Sequence, residues 1–223
     1  MATSKKLTPY VAPMAVFIAL LAVKGLVDSL GDSWWLKHSE FWIFPLQTAI
    51  CAMLLWRFWG NYQLSAPRQL WVGILVGTVV FGVWIAPQAF LGFGPRLEGF
   101  NPGLLAAPAA YAATVGLRFV RLVIVVPLVE EIFWRGFLLR YLINERFDEV
   151  PFGQFNWLSF IAVAAAFGFS HSPPDWPAAF LTGALYNMVA YQTKSLSTCV
   201  LTHGLTNLLL GLWIMWTKQW GFW

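Results

Sequence analysis

The chain has 223 residues, of which 59% are hydrophobic and 11% charged, and its formal net charge is +4. Soluble domains carry about 25% charged residues, so this chain has too little polar material to cover a surface in water. The composition excludes a disordered chain, a disulfide scaffold and a coiled coil, and it predicts an integral membrane protein. Because the positive charges form no basic stripe, no nucleic-acid partner is expected.

The hydrophobic pattern predicts an all-α, polytopic transmembrane helical bundle in a single domain, residues 1–223. A membrane-spanning helix needs about 20 mostly apolar residues, and about seven stretches meet that requirement. The segment 100–116, rich in Ala and Pro, is either an interfacial helix or an eighth span. Lys5 and Lys6 precede the first stretch as in a signal peptide, but no cleavage site follows, which predicts an uncleaved span. The candidate spans are 10–28, 41–57, 70–90, 117–140, 157–171, 177–192 and 196–216.

The distribution of Lys and Arg favours an amino terminus on the inner side of the membrane. Inner loops of membrane proteins carry more Lys and Arg than outer loops do. In this orientation the inner loops hold Lys5, Lys6, Arg57, Arg68, Arg140, Arg146 and Lys194, and the outer loops hold Lys37, Arg96, Arg118, Arg121 and Lys218.

Apart from the basic residues near span ends that are counted with the loops, four charged side chains fall within the predicted spans: Lys24, Glu130, Glu131 and Arg135. An ionisable group in a span is costly and indicates a functional site unless it has a simpler explanation. Lys24 has one, because it lies near a helix end and can extend to the interface. The other three lie in one short segment of the fourth span, which therefore needs a functional or structural explanation.

Helical spacing separates the two carboxylates of that segment. Glu131 and Arg135 are four residues apart and can form an ion pair along one face, a structural role. Glu130 points about 100° away and has no such local partner. A carboxylate in apolar surroundings can act as a general base near neutral pH. Pro127 should kink the helix one turn earlier, beside Glu130.

Two other spans carry matching polar groups. His171 ends the fifth span, and His203 and Asn207 share one face of the last span. Either histidine alone would more often be a hydrogen-bonded core residue. Together with Glu130 the set is typical of a hydrolytic site in which the carboxylate activates water and the other groups stabilise an oxyanion. Because the fifth span is short, His171 and His203 meet only if that span enters partway or tilts.

Three motifs follow one another on separate apolar stretches: E-E-x-x-x-R over 130–135, F-x-x-x-H over 167–171 and H-x-x-x-N over 203–207. In this order they resemble the CAAX protease and bacteriocin-processing family (CPBP or Abi family), which are glutamic intramembrane endopeptidases. The resemblance covers the core spans 117–216, and the spans in 1–116 match only as hydrophobic helices. The pattern, including the Trp-rich end, is also similar to small bacterial CAAX-protease-related members associated with exosortase sorting systems.

The resemblance implies a role for each motif residue. Glu130 is implied as the catalytic base, His171 as its assistant, His203 and Asn207 as the oxyanion hole, and Glu131 with Arg135 as a supporting ion pair. No cofactor is expected, because the H-E-x-x-H metal motif is absent and the family is usually treated as metal-independent. The alternative is zinc held by Glu130, His171 and His203.

The expected function is hydrolysis of a peptide bond in a membrane-associated protein or peptide. The expected location is the bacterial inner membrane, with the amino terminus in the cytoplasm and an exosortase-type system as a possible partner. One alternative is a non-catalytic immunity or assembly factor, against which the complete motif set argues. Another is a transporter or proton conductor, which should show two related halves, and the sequence has no such internal symmetry.

Overall fold

The structure is a computed structural model that describes residues 2–223. The described chain is folded into helices and contains no β-strand, which confirms the predicted all-α bundle. The helices are α1 (Ala2–Asp28), α2 (Trp34–Lys37), α3 (Glu40–Arg57), α4 (Leu70–Ala89), α5 (Pro108–Tyr141), α6 (Trp157–Phe169), α7 (Trp176–Thr193) and α8 (Leu196–Thr217).

Four of these helices are long and apolar enough to cross a membrane: α1 from Lys6 onward, α4, α5 and α8. Helix α6 is apolar but has only 13 residues. Large apolar side chains point outward, among them Trp56 at 80% exposure and Trp216 at 81%. Such a surface suits lipid rather than water. The count of seven or eight spans remains a prediction.

The segment before the fourth predicted span differs from expectation. Helix α5 begins at Pro108, a favourable first helical residue, and residues 108–116 are its first turns rather than a separate helix. The helix therefore includes Arg118 and Arg121, which we expected in an outer loop. Both are buried, at 4% and 6% exposure. The loop assignment was wrong because both arginines stand near the start of the predicted span 117–140, whereas the helix begins at Pro108.

One end of the bundle, which we call the Arg96 end, gathers the loops after α4 and α6 and the chain after α8. Arg96 Nη1 donates to Asp175 Oδ1 at 2.6 Å, and the Gly221 N–H donates to the Arg96 carbonyl at 2.9 Å. The rings of Phe100 and Trp223 are 5.7 Å apart. The chain after α8 is thus folded against the loop after α4.

The opposite end gathers the remaining loops. Tyr10 Oη donates to the Asn61 carbonyl at 2.6 Å, and Ser197 Oγ donates to the Ser65 carbonyl at 2.6 Å. Successive long helices from α3 onward therefore run between the same two ends in alternating directions. This arrangement places the start of α8 and the end of α6 at opposite ends of the bundle.

Helix α5 is irregular around its motif. Residues 121–125 and 132–138 form wider, π-helical turns, and the Val126 N–H donates to the carbonyl of Arg121, five residues back. Pro127 follows directly and has no N–H of its own. Single π-helical turns occur often at functional sites, and here two of them flank the segment that carries the carboxylates.

Helices α4 and α8 approach closely through two glycines. A Cβ at Gly73 would lie 2.7 Å from Thr202 Oγ1, and a Cβ at Gly77 would lie 2.9 Å from the Thr202 carbonyl oxygen. Small residues four apart permit this approach in membrane helices. The contact fixes the position of α8 beside the residue that precedes His203.

Candidate active site

A cavity of about 530 Å³ lies inside the bundle and extends to the Arg96 end. It brings together side chains from α5, from the end of α6 and from α8. All four residues predicted to be catalytic line it: Glu130, His171, His203 and Asn207. Both histidines line this cavity although α6, at about 20 Å long, is shorter than the roughly 30 Å hydrocarbon core of a membrane.

Glu130 lies half-buried on the wall of the cavity. Among the side chains of residues 6–223, none forms a hydrogen bond or ion pair with its carboxylate. The adjacent Glu131 is fully buried and does not line the cavity. The two neighbouring carboxylates therefore face different surroundings, as the helical spacing predicts, and Glu130 is the one that a molecule in the cavity can reach.

Glu131 is at the centre of a buried charge network. Its Oε1 accepts a hydrogen bond from Arg135 Nη1 at 3.0 Å and lies 2.9 Å from His203 Nδ1. Glu131 and Arg135 are both 0% exposed. The structure thus contains the ion pair expected from the spacing, and it adds His203 as a third member that the sequence did not indicate.

The other donors of Arg135 are held by α7. Its Nε donates to Asn187 Oδ1 at 3.1 Å and its Nη2 to the Gly183 carbonyl at 3.1 Å. Asn187 in turn donates to the Phe160 carbonyl at 3.1 Å. The sequence analysis missed Asn187, although an Asn within an apolar stretch is a signal that it has a buried polar partner.

The hydrogen-bonded nitrogen of His171 defines what the other ring nitrogen can do. Nδ1 lies 2.8 Å from the Phe167 carbonyl oxygen, which can only accept, so Nδ1 carries the hydrogen. In the neutral ring Nε2 is then a proton acceptor. The rings of Phe167 and Trp84 lie 4.9 and 5.6 Å from the imidazole and hold its orientation.

Asn207 is anchored to the irregular part of α5. Its Nδ2 donates to the Leu122 carbonyl at 2.8 Å. In a π-helical turn a carbonyl accepts a hydrogen bond from the N–H five residues later, which for Leu122 is residue 127. Residue 127 is a proline and has no N–H to donate. Pro127 therefore leaves a carbonyl for Asn207, and Gly204 packs against the next carbonyl, that of Val123. One N–H of Asn207 remains for a ligand in the cavity.

The zinc alternative has no preformed ligand set. Among the residues that the structure describes, no three His, Cys, Asp or Glu side chains are grouped so that they could hold one metal ion. Nδ1 of His203 contacts Glu131 and Nδ1 of His171 contacts a carbonyl oxygen, so Nε2 of each ring has no partner in the described residues. The expected absence of a cofactor remains a prediction.

The fold and this site define an α-helical membrane protein with a cavity among its helices that both polar and apolar side chains line. Residues 112–209 match the family described as type II CAAX prenyl endopeptidase Rce1-like. The matched segment covers 98 of the 223 residues and includes all three motifs, so this similarity agrees with the resemblance that the motifs show. No curated protein and no solved structure matches the chain.

Proposed function

We propose that this protein is an intramembrane endopeptidase in which Glu130 activates water to hydrolyse a peptide bond of a membrane-associated protein or peptide. The observation that carries the proposal is the convergence of Glu130, His171, His203 and Asn207 on one cavity. The match to a protease family supports the same reaction class. The individual residue roles are part of the proposal.

In the first step the Glu130 carboxylate takes a proton from a water molecule as the water oxygen attacks the peptide carbonyl carbon. Glu130 suits this role because it faces the cavity and has no side-chain partner that would compete for the proton. His171 offers the lone pair of Nε2 to orient the water. When the tetrahedral intermediate collapses, the C–N bond breaks and Glu130 returns the proton to the leaving amine.

The negative charge on the attacked carbonyl oxygen needs donors. Asn207 retains one N–H beyond its bond to Leu122. His203 is held at Nδ1 by Glu131, and its Nε2 is the second donor when both ring nitrogens carry hydrogen. Both donors are fixed before substrate arrives, which is the condition under which such groups stabilise a transition state most effectively.

Direct attack by water fits this site better than an acyl-enzyme. Ser170 Oγ donates to the Phe167 carbonyl at 2.7 Å and lies 3.4 Å from His171 Nδ1, the nitrogen that already carries a hydrogen. That nitrogen cannot act as a base for the hydroxyl. Ser170 is therefore not set up as a nucleophile.

The charge distribution supports an amino terminus in the cytoplasm of a bacterial inner membrane. Arg118, Arg121 and Arg140 are buried, so they no longer count as loop residues. Six basic residues then remain in the inner loops and three in the outer loops. This orientation places the Arg96 end, to which the cavity extends, on the extracytoplasmic side, and an exosortase-type sorting system as the partner stays a prediction.

The test compares the wild type with Glu130→Gln, which preserves shape and removes the base. Newly formed peptide termini in membrane and secreted fractions are measured at matched protein levels. Termini that appear with the wild type and not with Glu130→Gln establish proteolysis and identify the substrate. The matched control is Glu149→Gln, an exposed carboxylate at the opposite end. Identical termini from wild type and Glu130→Gln would refute the proposed function.

A further inference from the structure

Arg121 is a buried cation in the wall of the catalytic cavity with no assigned role. It is 6% exposed and lines the same cavity as Glu130. Its Nε and Nη2 both donate to Gln47 Oε1, at 3.0 and 2.7 Å. Among the residues that the structure describes, no carboxylate forms an ion pair with Arg121, and Nη1 has no acceptor.

The support for Arg121 is rigid. Gln47 is fully buried, and its Nε2 donates to the Phe17 carbonyl at 2.7 Å, so its Oε1 has a fixed position. The guanidinium carbon of Arg121 lies 4.5 Å from the Phe44 ring centroid and 5.3 Å from that of Phe17. The side chain is thus held at the cavity wall by neutral groups only.

A second arginine one turn earlier makes this region more positive. The guanidinium of Arg118 lies 4.7 Å from the same Phe44 ring, and its Nε and Nη1 have no hydrogen-bond partner. Lys24 lies 5.9 Å from that ring, and its charge is already matched by Asp28 and Glu40. Aromatic faces stabilise buried cations only in part, so an anion that enters the cavity would gain from this field.

We propose that Arg121 binds a carboxylate of the peptide substrate through Nη1 and so places the scissile bond beside Glu130. Arginine is suited to this because its donors match carboxylate geometry and it stays charged when buried. The carboxylate belongs either to the carboxyl terminus of the peptide or to an Asp or Glu side chain. The inference rests on the proposed function, because it assigns a specificity group to that site.

The experiment measures binding separately from cleavage. The probes are fluorescein-labelled nonapeptides of randomised apolar sequence, with either a free carboxylate or a carboxamide at the carboxyl end, and with or without one Glu. Fluorescence anisotropy gives the affinity of each probe for the Glu130→Gln protein in nanodiscs. This variant should bind the probes without cleaving them. We expect the charged probes to bind about tenfold or more tightly than their neutral partners. A preference for the free acid identifies the terminal carboxylate, and a preference for Glu identifies the side chain.

The same measurement on a double variant that adds Arg121→Gln should abolish the preference. The matched control adds Arg118→Gln instead. This change removes one positive charge from a residue that does not line the cavity, so it should weaken binding of the charged probes slightly and retain the preference. Equal affinity of Glu130→Gln protein for charged and neutral probes would overturn the inference, whatever the folding of the other variants.

Cleavage is measured with the single variant Arg121→Gln, which keeps Glu130. If this variant cleaved the charged and the neutral probes equally slowly, and the two kinds of probe also bound equally well, Arg121 would be assigned to positioning Glu130 instead. A binding preference without any cleavage by the wild type would refute the proposed protease and leave the carboxylate site.

Discussion

Nδ1 of His203 lies 2.9 Å from Oε1 of Glu131, the same oxygen that accepts a hydrogen bond from Arg135. Glu131 therefore joins a cation on its own helix to a catalytic candidate on another. A carboxylate on Nδ1 fixes which nitrogen of the imidazole faces the cavity. The second Glu of the motif thus has a structural and an orienting role, while the first faces the substrate.

Replacement of Arg135 by Ala should destabilise the protein strongly. The change leaves Glu131 with His203 alone in a fully buried place, and removal of one partner of a buried pair costs about 3–5 kcal/mol. Thermal unfolding in detergent measures the effect, and both yield and activity should fall. The control is Arg146→Ala, which removes an exposed ion pair with Glu149 and should change stability by at most about 1 kcal/mol. Normal yield and activity of Arg135→Ala would show that the network does not support the site.

Replacement of Asn207 by Ala should leave slow but measurable cleavage. Loss of one oxyanion donor costs about 2.7–4 kcal/mol, a decrease of about 10²- to 10³-fold in kcat. KM should change little, because the donor acts on charge that develops in the transition state. Steady-state kinetics separate the two quantities. An unchanged kcat would remove Asn207 from the mechanism.

The structure explains which parts of this site the sequence could predict. Glu130, His171, His203 and Asn207 stand out because polar groups in apolar stretches are costly, and their order on the chain adds a family pattern. Arg121 was counted with the outer loop because it stands near the start of the predicted span 117–140, and hydropathy did not locate the true start of the helix at Pro108. Its place in the cavity also depends on Gln47, which lies 74 residues away. No local spacing indicates such a contact.

The same reasoning applies to Pro127. The sequence predicts a kink there, but it does not show that the freed carbonyl of Leu122 would be taken up by Asn207. That outcome depends on the π-helical turn before the proline and on the close approach of Gly204 to α5. The irregular turn thus positions a catalytic candidate on a neighbouring helix, which a prediction from single helices cannot include.

Replacement of Pro127 by Ala tests this link. Ala supplies an N–H that can bond within α5 and compete with Asn207 for the carbonyl of the preceding turn. We expect the free energy of unfolding to stay the same or rise, because a proline inside a helix costs about 3 kcal/mol in general, while cleavage slows. Thermal unfolding and kcat are measured on the same preparation. A loss of stability without a change in kcat would show that the proline supports folding rather than the position of Asn207.

Replacement of Gly77 by Ala tests the contact between α4 and α8. The new Cβ would lie 2.9 Å from the Thr202 carbonyl oxygen, which is backbone and cannot rotate away, so α8 must shift. Overpacking of this kind costs about 1–3 kcal/mol. Because His203 follows Thr202 directly, the shift should also weaken the bond of His203 to Glu131 and lower kcat.

The control is Gly82→Ala in the same helix, where a Cβ would meet nothing within 4 Å. That variant should keep both stability and kcat, since Ala favours helix over Gly. If Gly77→Ala lowered stability but left kcat unchanged, the position of His203 would be set by Glu131 alone and not by the packing of its helix.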